Sequence, residues 1–214
     1  MSLLDDVRQS VIDGDMQSTQ ALVNKAVGEK MPAEQILNGG LISAMEEVGR
    51  RFECAEFYVP EMLISARAMK SGLAILRPHL VAAKVRAVGS VVIGTVQGDL
   101  HDIGKNLVGM MLEGGGFEVI DLGADVPAEK YVAAVKEHHP DLVGCSALLT
   151  TTMPRMEEVI HSLREAGLRD QVKVLIGGAP VTEKYAADIG ADGYAPDAAL
   201  AAACAKKLIQ EKGK

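Results

Sequence analysis

One stretch near the middle of the chain gathers residues that could do chemistry: Gly94-Thr95-Val96-Gln97-Gly98-Asp99-Leu100-His101-Asp102-Ile103-Gly104-Lys105-Asn106. An imidazole is a base, a proton shuttle and a common metal ligand. An aspartate two residues before it in a tight loop can reach one ring nitrogen, fixing the tautomer and raising the basicity of the other. Gly98 and Gly104 let backbone come close to something bulky. A phosphate loop is excluded, because five residues rather than four separate Gly98 from Gly104-Lys105, and Asn106 stands where Ser or Thr would bind magnesium. With one histidine and no nearby cysteine, donors are too few for a metal cage made of protein alone. A single axial ligand to a macrocycle needs no more. The same letters fit a helix-capping aspartate and a solvated histidine, so spacing leaves both readings open.

The elements that hold this loop follow from hydrophobic period. From about Arg86 short apolar runs alternate with amphipathic helices. The strands are read at Ser90–Val96, Phe117–Asp121, Leu142–Ser146, Val172–Ile176 and, weakly, Gly193-Tyr194. The helices start near Ile103, Ala128, Pro154, Thr182 and Asp197. Strands that are almost wholly apolar predict a parallel sheet covered on both faces. Five such units predict a flavodoxin-like, Rossmann-like α/β domain over residues 89–214, with ligands beyond the carboxyl ends of its strands. Residues 1–88 read instead as four helices: Leu3–Ile12, Met16–Val27 capped by Asp15, Ala33–Arg51, and one opened by Pro60. In the last, Met62, Ala66, Met69, Leu73 and Leu76 form one stripe. A helical bundle joined by a linker at about Arg77–Gly89 to an α/β domain is the expected architecture.

Composition narrows the function classes. The 214 residues carry a net charge of −7, with 48% hydrophobic and 24% charged side chains. Acidity speaks against nucleic-acid binding, and no apolar run approaches a membrane span. The three cysteines, Cys54, Cys145 and Cys204, have no metal or disulfide spacing, which together with an acidic, amphipathic start reads as cytoplasmic.

Asp99-Leu100-His101-Asp102-Ile103-Gly104 resembles the D-x-H-x-x-G signature of cobalamin-binding domains in methyltransferases and mutases. Its companions follow in order. Ser146-Ala147-Leu148 matches the S-x-L motif, with Thr150 and Thr152 beyond it, and Gly177-Gly178 matches the double glycine beside the nucleotide tail. Gly123–Pro127 and Tyr194-Ala195 are similar to rim loops of that family. Phe52 to Pro60 resembles the cap segment of cobalamin-dependent methionine synthase, with Phe52 and Val59 over the upper corrin face and Ala55 where the family usually has glycine.

This resemblance, covering residues 1 to about 210, implies a corrinoid subunit of a three-component methyltransferase system. It implies cobalamin (as methylcobalamin or cob(I)alamin) bound without its own base, His101 on cobalt, and an Asp99–Thr152 relay behind it. It further implies a substrate-specific methyltransferase, a tetrahydrofolate or coenzyme M methyltransferase and a reductive activase as partners, with the linker as hinge. The chain would not be an enzyme alone. No substrate-binding barrel and no DNA-binding segment is read beside the bundle. A cobalamin-responsive sensor without methyl transfer is the alternative.

Overall fold

Ser2 and Asp15 start the first two helices by chemistry visible in their side chains. In the computed structural model, which describes residues 2–212, the Asp5 amide donates to Ser2 Oγ at 3.2 Å and the Ser18 amide donates to Asp15 Oδ1 at 3.0 Å. Each bond satisfies an amide that has no partner within its helix. Met1 and residues 213–214, the outer ends of the two expected domains, lie outside the described residues.

The first unit comprises α1 (Leu3–Ile12), α2 (Met16–Gly28), α3 (Ala33–Ile36), a π-helical segment (Leu37–Ile42), α4 (Ser43–Glu53) and α5 (Val59–Ala82). The expected single helix from Ala33 is continuous, but its middle is wound more widely around Gly39-Gly40, where helix propensity is lowest. Met62, Ala66 and Met69 of α5 are buried together with Leu76, as the stripe predicts. Gly72 rather than Leu73 is the fully covered neighbour, and Leu73 is half-buried. α5 runs through Pro78 to Ala82, well into the stretch read as linker. Residues 77–79 are exposed, so proline's missing amide disturbs no packed contact there. Buried hydroxyls are satisfied locally, for example Ser65 Oγ donating to the Ile12 carbonyl at 3.0 Å. Ala55 sits at φ 55°, the left-handed conformation a glycine there would adopt without strain.

The second unit alternates β1 (Ser90–Thr95), α6 (Ile103–Gly114), β2 (Glu118–Asp121), α7 (Ala128–His138), β3 (Leu142–Ser146), α8 (Pro154–Glu165), β4 (Lys173–Gly177), α9 (Glu183–Ile189), β5 (Gly193–Ala195) and α10 (Ala198–Lys212). All pairings are parallel and the order is β2-β1-β3-β4-β5, the flavodoxin-like order. Val92, Val143, Cys145, Val174 and Ile176 face one core with Tyr131, Val135, Met156, Ile160 and Leu163 of α7 and α8. The alternate residues Val91, Ile93, Leu142 and Leu175 are buried as well, so β1, β3 and β4 are covered on both faces. That is why they read as unbroken apolar runs. Chain order reverses between β1 and β3, the place in such open sheets where ligands bind beyond the strand ends. The reactive stretch leaves β1.

The candidate cofactor site at the ends of β1 and β3

A tight turn ends β1. The Asp99 amide donates to the Val96 carbonyl at 3.2 Å, and Gly98 takes φ 82° at the third turn position, where type II turns require a positive angle. This turn sends the Asp99 side chain inward, where it is 0% exposed.

A buried carboxylate must be fully hydrogen-bonded to persist, and Asp99 is. Its Oδ1 accepts from the His101 amide at 3.1 Å and lies 2.8 Å from His101 Nδ1. Its Oδ2 accepts from Thr152 Oγ1 at 2.7 Å, the Leu148 amide at 2.8 Å and the Leu149 amide at 3.3 Å. Thr152 Oγ1 also lies 2.9 Å from the Leu149 carbonyl, and its single proton favours the charged acceptor. Burial pushes the Asp99 carboxyl up, but the bonds from Thr152, Leu148 and His101 outweigh it and hold the group well below the usual carboxylate range.

This ionised partner decides the imidazole's chemistry. A carboxylate only accepts, so Nδ1 carries the proton and Nε2 keeps its lone pair. The His101 side chain is 51% exposed, and its carbonyl is held by Thr95 Oγ1 at 3.0 Å. The ring is anchored on one side and open on the other. Around it Leu100 and Ile103 are 75% and 81% exposed, and Leu148 and Leu149 are also uncovered. Four exposed aliphatic side chains on two adjacent loops suit an apolar ligand surface. Among the described residues no three histidine, cysteine or acidic groups are poised around a metal. An oriented nitrogen beside such a surface fits a metal that brings its other ligands with it.

The structure thus brings together Asp99, His101, Leu148 and Thr152, and the Leu149 amide, which sequence reasoning missed because a backbone donor leaves no trace in residue type. Gly98, Leu100 and Asp102 share the His101 loop and Ile103 and Gly104 open α6, while Ser146 ends β3 and Thr150 is exposed in the loop beyond it. Gly177, Gly178, Tyr194 and Ala195 lie at the ends of β4 and β5; Tyr194 packs partly against the core, and Ala195 is buried. The double glycine has a reason inside the chain itself. A Cβ on Gly178, at φ 133°, would sit 1.9 Å from the Ala147 carbonyl oxygen, and one on Gly177 2.9 Å from that of Ala195. Gly104 differs, since a Cβ there would meet nothing within 4 Å. Phe52 and Val59 belong to the first unit, at the end of α4 and the start of α5, half-buried and exposed respectively.

Lys105 was also missed. Set aside with the phosphate-loop reading, it is buried in α6 and paired with Asp121 at the end of β2. A lysine in the first turn of the helix after β1 and an aspartate ending the neighbouring strand β2 were the available signal.

Family models described as B12 binding domains match residues 89–203 and residues 3–77. A corrinoid protein of Desulfitobacterium hafniense (strain Y51) is 44% identical over 98% of both chains. The dimethylamine corrinoid protein of Methanosarcina barkeri is 44% identical over 97% of both. Among solved structures, the methanol:cobalamin methyltransferase complex of Methanosarcina barkeri matches 97% of this chain and 80% of its own, at 30% identity and a TM-score of 0.87. No helix among the described residues is long and apolar enough to cross a membrane.

Proposed function

The chain belongs to the family of B12-binding corrinoid proteins, and from that premise we propose that it carries methyl groups on a cobalamin whose cobalt His101 would hold. When bound, the cofactor supplies a cobalt centre that takes up a methyl group in its most reduced state and gives it to an acceptor. The observation that supports His101 as ligand is the Asp99–His101 pair, with Nδ1 engaged at 2.8 Å and Nε2 left open beside exposed aliphatic side chains.

The chain's residues divide the work. Thr152 and the Leu148 and Leu149 amides hold Asp99 ionised, and Asp99 holds the His101 ring in the tautomer that presents Nε2. When Nε2 is free of metal it can take a proton, leaving an imidazolium whose charge Asp99 offsets. Leu100, Ile103, Leu148 and Leu149 exclude water from the lower face. Ser146, Thr150, Gly177, Gly178, Tyr194 and Ala195 are proposed along the nucleotide tail, and Phe52 and Val59 as covering residues. A methyltransferase specific for a one-carbon donor is the first partner. A tetrahydrofolate or coenzyme M methyltransferase and a reductive activase complete the proposed cycle.

Gly104 offers a clean check on where the cofactor lies. Nothing in the chain opposes a side chain there, and glycine costs a helix up to about 1 kcal/mol relative to alanine. Gly104→Ala should therefore raise the melting temperature of the apoprotein while weakening its affinity for aquacobalamin. Unchanged affinity would move the cofactor away from α6.

The function itself is tested by labelled-methyl transfer from donor to acceptor, using the holoprotein with a one-carbon-donor methyltransferase and a tetrahydrofolate or coenzyme M methyltransferase. Transfer that requires the loaded protein is expected. No transfer, with cobalamin bound in a stable complex, would favour a sensor role.

A further inference from the structure

The loop between β2 and α7 does more than connect them. Pairing of β1 and β2 continues past both strand ends: the Thr95 amide donates to the Gly123 carbonyl at 3.0 Å, and the Val126 amide to the Thr95 carbonyl at 3.0 Å. Asp125 lies between these two bonds. Asp125 stands two residues before Pro127, the N-cap position of α7. It does not cap that helix, which has no side-chain cap.

Asp125 turns the other way. Its Oδ1 accepts from the Gly98 amide at 2.7 Å, and its own amide donates to the Asp99 carbonyl at 3.0 Å. It therefore grips the Gly98–Asp99 segment at both ends. To do so it adopts φ 54°, a left-handed conformation that aspartate and asparagine tolerate better than most residues but that remains strained. Strain kept at a surface loop asks for a compensating contact, and the grip on Gly98 and Asp99 supplies it.

From this geometry we infer that Asp125 is a positioning residue for the axial ligand: it fixes the backbone from which the Asp99 carboxylate departs, and through Asp99 the orientation of the His101 ring. The inference rests on the reading of His101 as cobalt ligand and adds a layer to it. Thr152 and the Leu148 and Leu149 amides hold the Asp99 carboxylate from the β3 side. Asp125 holds the Asp99 main chain from the β2 side. With the main chain released, Gly98 could turn freely and the carboxylate could not meet all five of its donors at once.

Three variants separate the contributions. Asp125→Asn keeps both an acceptor oxygen and tolerance for the left-handed conformation. Asp125→Gly keeps the conformation without strain and loses the acceptor. Asp125→Ala loses both advantages. The readouts are hydrogen-exchange protection of the Gly98 amide and the ring nitrogen shifts of His101 in the apoprotein, then aquacobalamin affinity and the visible spectrum of the complex.

Asp125→Asn should match the native protein throughout. Asp125→Gly should lose protection at Gly98, show a mixed population of His101 tautomers, and bind aquacobalamin about tenfold more weakly, the lower end of the range for the groups that contact a metal ligand directly. Native His101 ring shifts in Asp125→Gly would overturn the inference, as would an Asp125→Asn protein as impaired as Asp125→Gly. A defect confined to Asp125→Ala would also overturn it, leaving only a backbone preference. His101→Ala in the same titration keeps the two questions apart. If its spectrum is unchanged, ligation by His101 is refuted, while the apoprotein ring shifts still decide the role of Asp125.

Discussion

Asp99→Ala is expected to destabilise the apoprotein by about 2–5 kcal/mol, because the amides that share this acceptor lose it at roughly 1–3 kcal/mol each. The substitution takes the acceptor away from the Leu148 and Leu149 amides, while the Thr152 hydroxyl keeps the Leu149 carbonyl 2.9 Å away. The acid side of the stability profile should change as well. Because the native Asp99 carboxyl lies below its ordinary range, it stabilises the fold above the unfolded-state value of about 3.9 and loses that contribution as pH falls toward its folded value. The variant should therefore show a flatter decline below about pH 4.

Asp99→Asn is the more informative partner. Three donors converge on Oδ2, so the amide oxygen belongs there, which turns the amide NH2 toward His101 Nδ1 and costs the His101 amide its acceptor. The ring must then accept at Nδ1 and carry its proton on Nε2, the nitrogen needed for the metal. Ring nitrogen spectra of the apoprotein should show this reversal with the fold intact. An unreversed tautomer would mean that Asp99 does not control the ring.

Replacement of Gly178 is the second large effect. Even alanine would place its Cβ 1.9 Å from the Ala147 carbonyl oxygen, in a backbone conformation open essentially to glycine alone. The obstacle is backbone at the end of β3, which cannot swing aside as a side chain can. Gly178→Val should cost about 4 kcal/mol or more, in the exceptional range for one substitution. The loss should be smaller at Gly177, whose nearest obstacle is 2.9 Å away, and absent at Gly104. Denaturant melts of the three apoproteins read this order directly. Loss of cobalamin uptake in a Gly178 variant would then report a broken β3–β4 crossover, and uptake measured on Gly177→Ala is the better probe of the nucleotide tail. Equal stability of Gly178→Val and the native protein would contradict the close approach.

Much of this architecture is legible in residue types because local and tertiary signals agree. Asp15 caps the helix it was expected to cap, and the doubly buried strands announce themselves as apolar runs. Even β5, three residues long, follows from Gly193-Tyr194 between two helices. Legibility fails where one residue's role is decided by a distant segment. The stretch Arg77–Gly89 reads as a linker, yet exposure on the turn that holds Pro78 leaves the helix free to continue to Ala82. The wide turn around Gly39-Gly40 changes no hydrophobic period strongly enough to be seen. In the site, the Asp99–His101 contact is close in sequence and could be argued from spacing. The Leu149 amide, 50 residues away, and the Asp125 carboxylate, 27 residues from Gly98, could not.

The account stands on a nitrogen–cobalt bond, and electron paramagnetic resonance of the reduced cob(II) holoprotein reports that bond directly. With histidine alone labelled with nitrogen-15, coordination by His101 must convert the triplet splitting of an axial nitrogen-14 into a doublet, and His101→Ala must abolish the doublet. A triplet that survives the label would mean that the cofactor's own base still occupies the lower position, and the proposed site would be wrong.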